Sequence, residues 1–92
     1  EIEDEHDETD QYFRQLGDGI YQIQALMPIE ALNEQFQTTF SDEEYDTIGG
    51  LVTHAIGHLP VPGEETALKG IAFRVLKADN RRVHWLRMTL PQ

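Results

Sequence analysis

The sequence has 92 residues, of which 39% are hydrophobic, with no cysteine and a net charge of −10. A chain of this length holds one domain with one modest core, and the absence of thiols excludes disulfides and thiolate metal sites. No apolar run approaches the roughly 20 residues of a membrane span and no signal peptide is recognisable, so we expect a soluble domain.

Acidic and basic side chains are unevenly distributed along the chain. Residues 1–46 contain fourteen acidic side chains and one arginine, whereas residues 47–92 contain three acidic and six basic ones. We expect no nucleic-acid partner, because such binding needs a basic surface that displaces counterions from phosphates. The acidic half either attracts cations or is simply solvated, and solvation is the commoner explanation for a charge run.

The first ten residues contain seven carboxylates and one aliphatic side chain, Ile2. Such a segment buries too little apolar area to offset its ordering entropy, so we expect it to be disordered. The sequence predicts an acidic linker over residues 1–13 and a folded domain over residues 14–92. Because the sequence does not start with methionine, we also expect another segment to precede it.

A strand and a helix are predicted in the first half of the domain. The β-prone run Ile20–Ile23 follows a Gly-Asp-Gly turn signal at 17–19. Pro28 fits the first position of a helix, and Ile29, Leu32 and Phe36 follow at spacings of three and four. This spacing predicts a helix of about two to three turns.

The acidic run Ser41-Asp42-Glu43-Glu44 fits a capping box, in which Ser41 and Glu44 each satisfy one free backbone donor. We expect it to begin a single helical turn.

The second main helix has the clearest apolar periodicity in the chain, with Asp46 or Thr47 as its cap. Gly49 and Gly50 in its first turn cost up to about 1 kcal/mol each in helix propensity. Close packing of their backbone against a strand or a neighbouring helix would offset that cost. The predicted apolar stripe consists of Ile48, Leu51, Val52, Ala55, Ile56 and Leu59.

Three strands are predicted in the last third, over Glu64–Leu68, Ile71–Ala78 and Val83–Leu90. Lys69-Gly70 and Asp79-Asn80-Arg81 are the predicted turns between them. The predicted order is therefore β-α-α-β-β-β, which is an α+β domain.

Alternation along the last strand gives each side chain a predicted side. Leu86, Met88 and Leu90 face the core, whereas Trp85 and Arg87 face outward. A β-bulge near residues 82–84 would reverse this assignment.

Two groups of side chains are candidate metal ligands. His54 and His58 stand four residues apart on one helix, a spacing that suits zinc, cobalt or nickel, but two ligands are too few. The alternative is two exposed histidines near a helix C-terminus, where positive charge is favourable. Asp42, Glu43 and Asp46, with Glu44, could contact magnesium, although the spacing is not that of an EF-hand and the helix dipole also explains them.

Other residue patterns favour contact over catalysis. The sequence has no GxSxG nucleophile and no glycine-rich phosphate loop, so we predict that the domain is not an enzyme. Positive charge is concentrated on the last hairpin, near Trp85, by Arg74, Lys77, Arg81, Arg82 and Arg87. These residues form either an ordinary solvated sheet face or a docking face for an acidic partner.

The run Asp42 to Val52, which contains Asp46-Thr47-Ile48-Gly49-Gly50, resembles the signature of the CorC/HlyC transporter-associated domain family. The resemblance continues through Gly57-His58-Leu59-Pro60 and Phe73-Arg74-Val75 and covers about residues 14–91. It implies a mixed or antiparallel sheet with helices packed on one face.

Residues 1–7 resemble the acidic connector that follows a tandem CBS pair in the same family. The resemblance therefore implies a regulatory domain of a magnesium and cobalt efflux protein, partnered by a CBS pair of the same chain. A second copy or a membrane transporter are further implied partners, at the cytoplasmic face of a membrane. The rival hypothesis is a ligand sensor for Mg²⁺, Co²⁺ or an adenine-type nucleotide, with FAD suggested by fold likeness alone.

Overall fold

The computed structural model describes residues 12–91, so the predicted disorder of residues 1–10 lies outside the described residues. The elements in chain order are β1 (Phe13–Gly17), β2 (Ile20–Gln24), α1 (Ile29–Phe36), α2 (Ile48–Ile56), β3 (Glu65–Leu68), β4 (Ile71–Ala78) and β5 (Val83–Thr89).

The five strands form one antiparallel sheet in the order β1-β2-β5-β4-β3. β5 comes last in the chain but lies in the centre, where it joins the N-terminal hairpin to the C-terminal one. Lys69 and Gly70 both have positive φ, 53° and 83°, as a two-residue hairpin turn requires, and this confirms the predicted turn between β3 and β4. The predicted α+β class and antiparallel sheet are confirmed.

Strand β1 is missing from the predicted element order. Its residues Arg14, Gln15 and Leu16 are exposed, so β1 lacks the alternation of apolar and polar side chains that identifies a strand. Its stability comes from pairing with β2 and from Phe13, whose ring packs edge-on against Phe36 at 5.3 Å between centroids.

The hydrophobic core lies between the two helices and one face of the sheet. Ile29 and Leu32 of α1 and Ile48 and Val52 of α2 are fully buried against the inward side chains of the strands. These inward side chains are Ile23, Ile71, Phe73, Val75, Val83, Leu86 and Met88. The helices thus cover one face, and within residues 12–91 no helix covers the other.

Helix α2 begins at a threonine cap. The Thr47 side chain accepts a hydrogen bond from the Gly50 N–H at 3.2 Å, so of the two predicted caps it is Thr47 and not Asp46 that acts. Thr47 also pairs with Pro28 in an isolated antiparallel bridge, which joins the starts of the two helices.

The same helix ends earlier than the apolar periodicity suggests. Gly57 takes the left-handed conformation at φ 97° and donates its N–H to the Thr53 carbonyl, which terminates α2 at Ile56. Leu59 therefore lies beyond the helix and Ala55 is exposed, so the predicted stripe was too wide.

The predicted helical turn at Ser41–Glu44 does not form. Ser41 Oγ accepts a hydrogen bond from the Glu43 N–H at 3.3 Å, two residues on, as in a local serine turn. All four residues are exposed, so a helical turn there would bury nothing to offset its ordering cost.

Two β-bulges change the pairing of β4 with β5. Leu76 is the extra residue on β4, and His84 is the extra residue on β5. The bulge at His84 turns Val83 into the core but lies before Trp85, so it leaves the alternation of the rest of β5 unchanged. The predicted inward and outward sides of Leu86, Met88, Trp85 and Arg87 are confirmed.

Within residues 12–91, neither helix is long and apolar enough to cross a membrane.

Candidate functional site

Three arginines, a glutamine and a glutamate lie in one line across the uncovered face of the sheet. The strand register places Arg14 of β1 beside Gln22 of β2, Gln22 beside Arg87 of β5, Arg87 beside Arg74 of β4, and Arg74 beside Glu65 of β3. We call these five residues the arginine row. It crosses every strand of the sheet.

The positive charge of the arginine row is poorly compensated. Arg74 lies 3.7 Å from Glu65, with both side chains about half exposed, and such surface pairs contribute little. Within residues 12–91, Arg14 and Arg87 take part in no ion pair. Arg74 and Arg87 are directly opposed across β4 and β5, a like-charge arrangement that destabilises a sheet.

Trp85 lies next to the arginine row on the same face. It is paired with Gln24 of β2 and with Lys77 of β4, and its indole is only partly exposed. An aromatic ring beside arginines is a combination that protein interfaces favour. The structure therefore brings together Trp85 and Arg87, two of the predicted docking residues, on one surface.

The other two predicted docking residues lie elsewhere. Arg81 and Arg82 belong to the connection between β4 and β5 and border a groove of about 400 Å³ beside α2. We call this the α2 groove. Its other walls are the N-cap Thr47, one side of α2, the loop residue Tyr45, and the exposed side chains of Leu26 and Leu59. The residues of α2 that line it are Gly49, Gly50, Thr53 and His54.

Asp79 shapes the end of the groove that carries the two arginines. Its Oδ1 accepts the backbone N–H groups of Arg81 and Arg82 at 2.8 and 2.9 Å, and its Oδ2 lies 2.8 Å from His84 Nε2. The hydrogen bond from His84, followed by those two backbone bonds, holds the pKa of the Asp79 carboxyl well below its usual range. Sequence reasoning identified this turn but missed Asp79 and His84 as its organising pair.

Gly49 and Gly50 of α2 both line the α2 groove, and each allows a different neighbour to pack close to the helix. A β-carbon on Gly49 would lie 2.6 Å from Ala25 Cβ, so the helix sits directly on the segment after β2. A β-carbon on Gly50 would lie 3.3 Å from the Tyr45 ring, so the lack of a side chain at Gly50 lets the ring pack close to the helix backbone. The predicted close packing exists, but its partner is a turn rather than a strand or helix.

The backbone donors at the start of α2 are all used. The N–H groups of Ile48, Gly49 and Leu51 donate to the carbonyl oxygens of Met27, Ala25 and Thr47, and that of Gly50 donates to Thr47 Oγ1. An anion in the α2 groove would thus have to be bound by side chains.

The two candidate metal-binding histidines have different partners. His54 Nδ1 shares a hydrogen bond with the Tyr45 hydroxyl at 2.7 Å, whereas His58 Nε2 lies 2.8 Å from Glu64 Oε1. Glu64 also accepts the Val61 N–H, and that bond, with a further contribution from His58, lowers the pKa of the Glu64 carboxyl. The structure does not bring His54 and His58 into one site.

The acidic candidates do not form a cluster either. Asp42 and Glu43 are exposed, and the backbone carbonyl of Asp46 accepts the Ile29 N–H, which ties the loop to α1. In the part of the chain that the structure describes, no three histidine, aspartate or glutamate side chains are grouped so as to hold a metal ion.

The chain is similar in sequence to curated magnesium and cobalt efflux proteins. The magnesium and cobalt efflux protein CorC of Escherichia coli K12 is 51% identical over 92 residues, which is 99% of this chain and 32% of that protein. The chain therefore spans about a third of the length of the curated relatives it matches.

Solved structures share the fold. The Mg²⁺ and Co²⁺ transporter (CorC)-associated region from Neisseria meningitidis MC58 is 44% identical, with a TM-score of 0.82 over 86% of this chain and 98% of that one.

Two more distant structures, each 24% identical and covering 87% of this chain and 98% of their own, resemble it in fold alone. One is a Xylella fastidiosa CorC/HlyC domain in complex with Mg²⁺ and Mn²⁺, with a TM-score of 0.74. The other is the transporter-associated domain of a CBS domain protein from Porphyromonas gingivalis, with a TM-score of 0.77.

The CorC/HlyC family of transporter-associated domains matches residues 14–92. That match covers the whole sheet from Arg14 onward, including the arginine row and both walls of the α2 groove, and the chain belongs to this family.

Proposed function

We propose that this chain is a regulatory, non-catalytic domain of a magnesium and cobalt efflux protein, and that it acts by docking onto a CBS pair of the same protein. The identity to E. coli CorC over almost the whole chain supports the efflux context. The P. gingivalis relative, which comes from a CBS domain protein, supports the partner. The resemblance implies a location at the cytoplasmic face of the membrane.

The observation that carries the docking proposal is the arginine row on the uncovered face of the sheet. Placing Arg74 opposite Arg87 costs free energy in the isolated domain, because like charges directly opposite on neighbouring strands repel. An acidic surface laid over the row would reverse that cost. The residues of the row thus fit an interface better than a permanently solvated face.

Trp85 provides the apolar part of the same interface. Tryptophan and arginine are the side chains that most often carry binding energy in protein interfaces, and they do so when water is excluded around them. Trp85 is already partly shielded by its neighbours, so a partner could cover it completely at low entropic cost. We therefore expect Trp85 and Arg87 to contribute most of the docking energy.

The test is made in the full-length parent protein with Trp85 and Arg87 both replaced by alanine. If this domain docks through these residues, the CBS pair and the domain should separate in the double variant. The separation would be seen as loss of cross-links between them and as loss of cation tolerance in cells. The matched control replaces Arg81 and Arg82 by alanine, which leaves the sheet face unchanged. If the Trp85→Ala/Arg87→Ala protein keeps its cross-links, the proposed surface is wrong.

A folding control separates docking from stability. Circular dichroism of the 92-residue chain with the same two replacements should show a folded domain. If the domain unfolds instead, Trp85 and Arg87 belong to the core and the docking surface lies elsewhere. If cross-links to a second copy or to a membrane protein are lost in place of those to the CBS pair, the partner has been misidentified.

A further inference from the structure

We propose that the α2 groove binds a small organic phosphate, whose phosphate group is held by Arg81 and Arg82 and whose flat apolar body lies against Tyr45 and Leu26. This site is separate from the arginine row and does not rest on the docking proposal. Its volume of about 400 Å³ lies within the range of small-molecule pockets in proteins.

The charge of the site favours a dianion. Within residues 12–91 neither Arg81 nor Arg82 forms a side-chain ion pair, and their backbone N–H groups both bind Asp79 Oδ1, which fixes the backbone of the turn that carries them to the edge of the groove. A phosphate monoester carries between about −1.5 and −2 charges at neutral pH and accepts paired bonds from guanidinium groups. A single carboxylate would leave one of the two arginines unmatched.

The rest of the groove fits an apolar body. Leu26 is 50% exposed and Leu59 is 36% exposed, and both border the same cavity. Ala25 and Val83, which are buried, line it as well. A ligand that fills the cavity would remove this apolar surface from water, which favours binding.

Tyr45 gives the groove a flat and fixed wall. Its hydroxyl is hydrogen-bonded to His54 Nδ1, the two rings are 5.1 Å apart, and Gly50 has no side chain to push the phenol away. A planar group can stack on a ring that is held in this way at little entropic cost. The site is therefore suited to a flat organic phosphate rather than to free inorganic phosphate.

The occupied backbone donors of α2 make the proposal specific. The first N–H groups of this helix already have partners, so they cannot hold a phosphate as they do in glycine-rich phosphate loops. Binding must depend on Arg81 and Arg82. The net charge of −10 also opposes general attraction of anions, so saturable anion binding would report a local site.

The experiment titrates the 92-residue chain with phenyl phosphate, AMP, inorganic phosphate and neutral adenosine, followed by amide NMR shifts. We expect saturable binding of phenyl phosphate, with shifts at Tyr45, Thr53 and Arg82, and affinity at least about tenfold above that of inorganic phosphate, a difference of about 1.4 kcal/mol. AMP distinguishes a nucleotide from other flat phosphates: tighter binding than phenyl phosphate identifies a nucleotide-type ligand.

Variants decide whether the two arginines are responsible. Replacing Arg81 and Arg82 by glutamine should weaken phenyl phosphate binding at least about tenfold, as expected when two charge-assisted contacts are lost. The matched control, Arg14→Gln with Arg74→Gln, removes the same charge from the sheet face and should leave the affinity unchanged. Equal losses in both variants, binding of inorganic phosphate as tight as that of phenyl phosphate, or no saturable binding at millimolar ligand would each overturn the proposal.

Discussion

Gly49 and Ala25 touch through their backbones at the point where α2 meets the end of β2. The Gly49 N–H donates to the Ala25 carbonyl at 2.9 Å, and a β-carbon on Gly49 would lie 2.6 Å from Ala25 Cβ and 2.9 Å from that same carbonyl oxygen. Ala25 N–H in turn donates to the His84 carbonyl of β5. This one contact therefore joins α2 to the centre of the sheet.

Replacing Gly49 by alanine should destabilise the chain strongly. The new methyl group would overlap backbone as well as side-chain atoms, so α2 would have to move away from Ala25 and the core would repack. Overpacking of this kind costs about 1–3 kcal/mol or more, well above the gain of up to about 1 kcal/mol in helix propensity. Urea unfolding followed by circular dichroism measures the change.

Gly50→Ala is the matched control on the next residue. Its β-carbon would meet the Tyr45 ring at 3.3 Å, a contact that a small rotation of Tyr45 can relieve. The propensity gain should nearly offset this strain, so we expect a change in unfolding free energy within about 1 kcal/mol. Equal stability of the two variants would contradict the role given to the Gly49–Ala25 contact.

Asp79→Asn should lower the melting temperature in a pH-dependent way. The pKa of Asp79 is depressed in the folded state, so its charge stabilises the fold above the unfolded pKa of about 3.9, and this stabilisation is lost as the pH falls below that value. The difference between the parent chain and Asp79→Asn should therefore be largest near neutral pH and shrink toward pH 2. Calorimetry across this range measures it.

Asp42→Asn controls for the general effect of removing a carboxylate. Asp42 is exposed and has no side-chain partner within residues 12–91, so its replacement should change the melting temperature little at any of these pH values. A pH profile that is the same for both variants would show that the hydrogen bonds of Asp79 do not stabilise the turn.

Much of this fold could be predicted because its signals are local. The β4 strand from Ile71 to Ala78 has the predicted bounds, since its alternation is regular as far as Val75 and the turns at its two ends carry glycine or aspartate. Strand β1 could not be predicted, because Arg14 to Leu16 are exposed and their conformation depends on β2. The Ser41 capping box failed for the opposite reason: the local signal was present, but its four residues are all exposed, so a helical turn there would bury nothing.

The candidate sites, like the fold, could be predicted only where the signal is local in sequence. The alternation of β5 placed Trp85 and Arg87 on the outward face, but the arginine row depends on the register of four other strands. The α2 groove depends on Arg81 and Tyr45, which are 36 residues apart in sequence and have no shared motif. Side chains that meet through tertiary structure leave no pattern in a single sequence.

Removing both candidate metal-binding imidazoles should change stability little. His54→Ala combined with His58→Ala breaks two exposed hydrogen bonds, to Tyr45 and Glu64, and His58 is 61% exposed. We expect the unfolding free energy to stay within about 0.5 kcal/mol of the parent, as for ordinary surface changes. A loss of several kcal/mol, or one equivalent of transition metal that survives treatment with a chelator, would show that these histidines hold a structural ion.

Arg87→Glu should stabilise the isolated domain and weaken docking at the same time. In the 92-residue chain, the new carboxylate faces Arg74 across β4 and β5 and replaces a like-charge pair by an attractive one, a difference of about 0.2–1 kcal/mol. Urea unfolding of Arg87→Glu, Arg74→Glu and the double variant forms a cycle that isolates this pair from other effects. Arg81→Glu makes the same charge change away from the row and should bring no such gain.

In the full-length parent, Arg87→Glu should abolish cross-links to the CBS pair, whereas Arg81→Glu should not. An Arg87→Glu variant that is less stable and still fully docked would contradict the proposal that the arginine row binds an acidic partner.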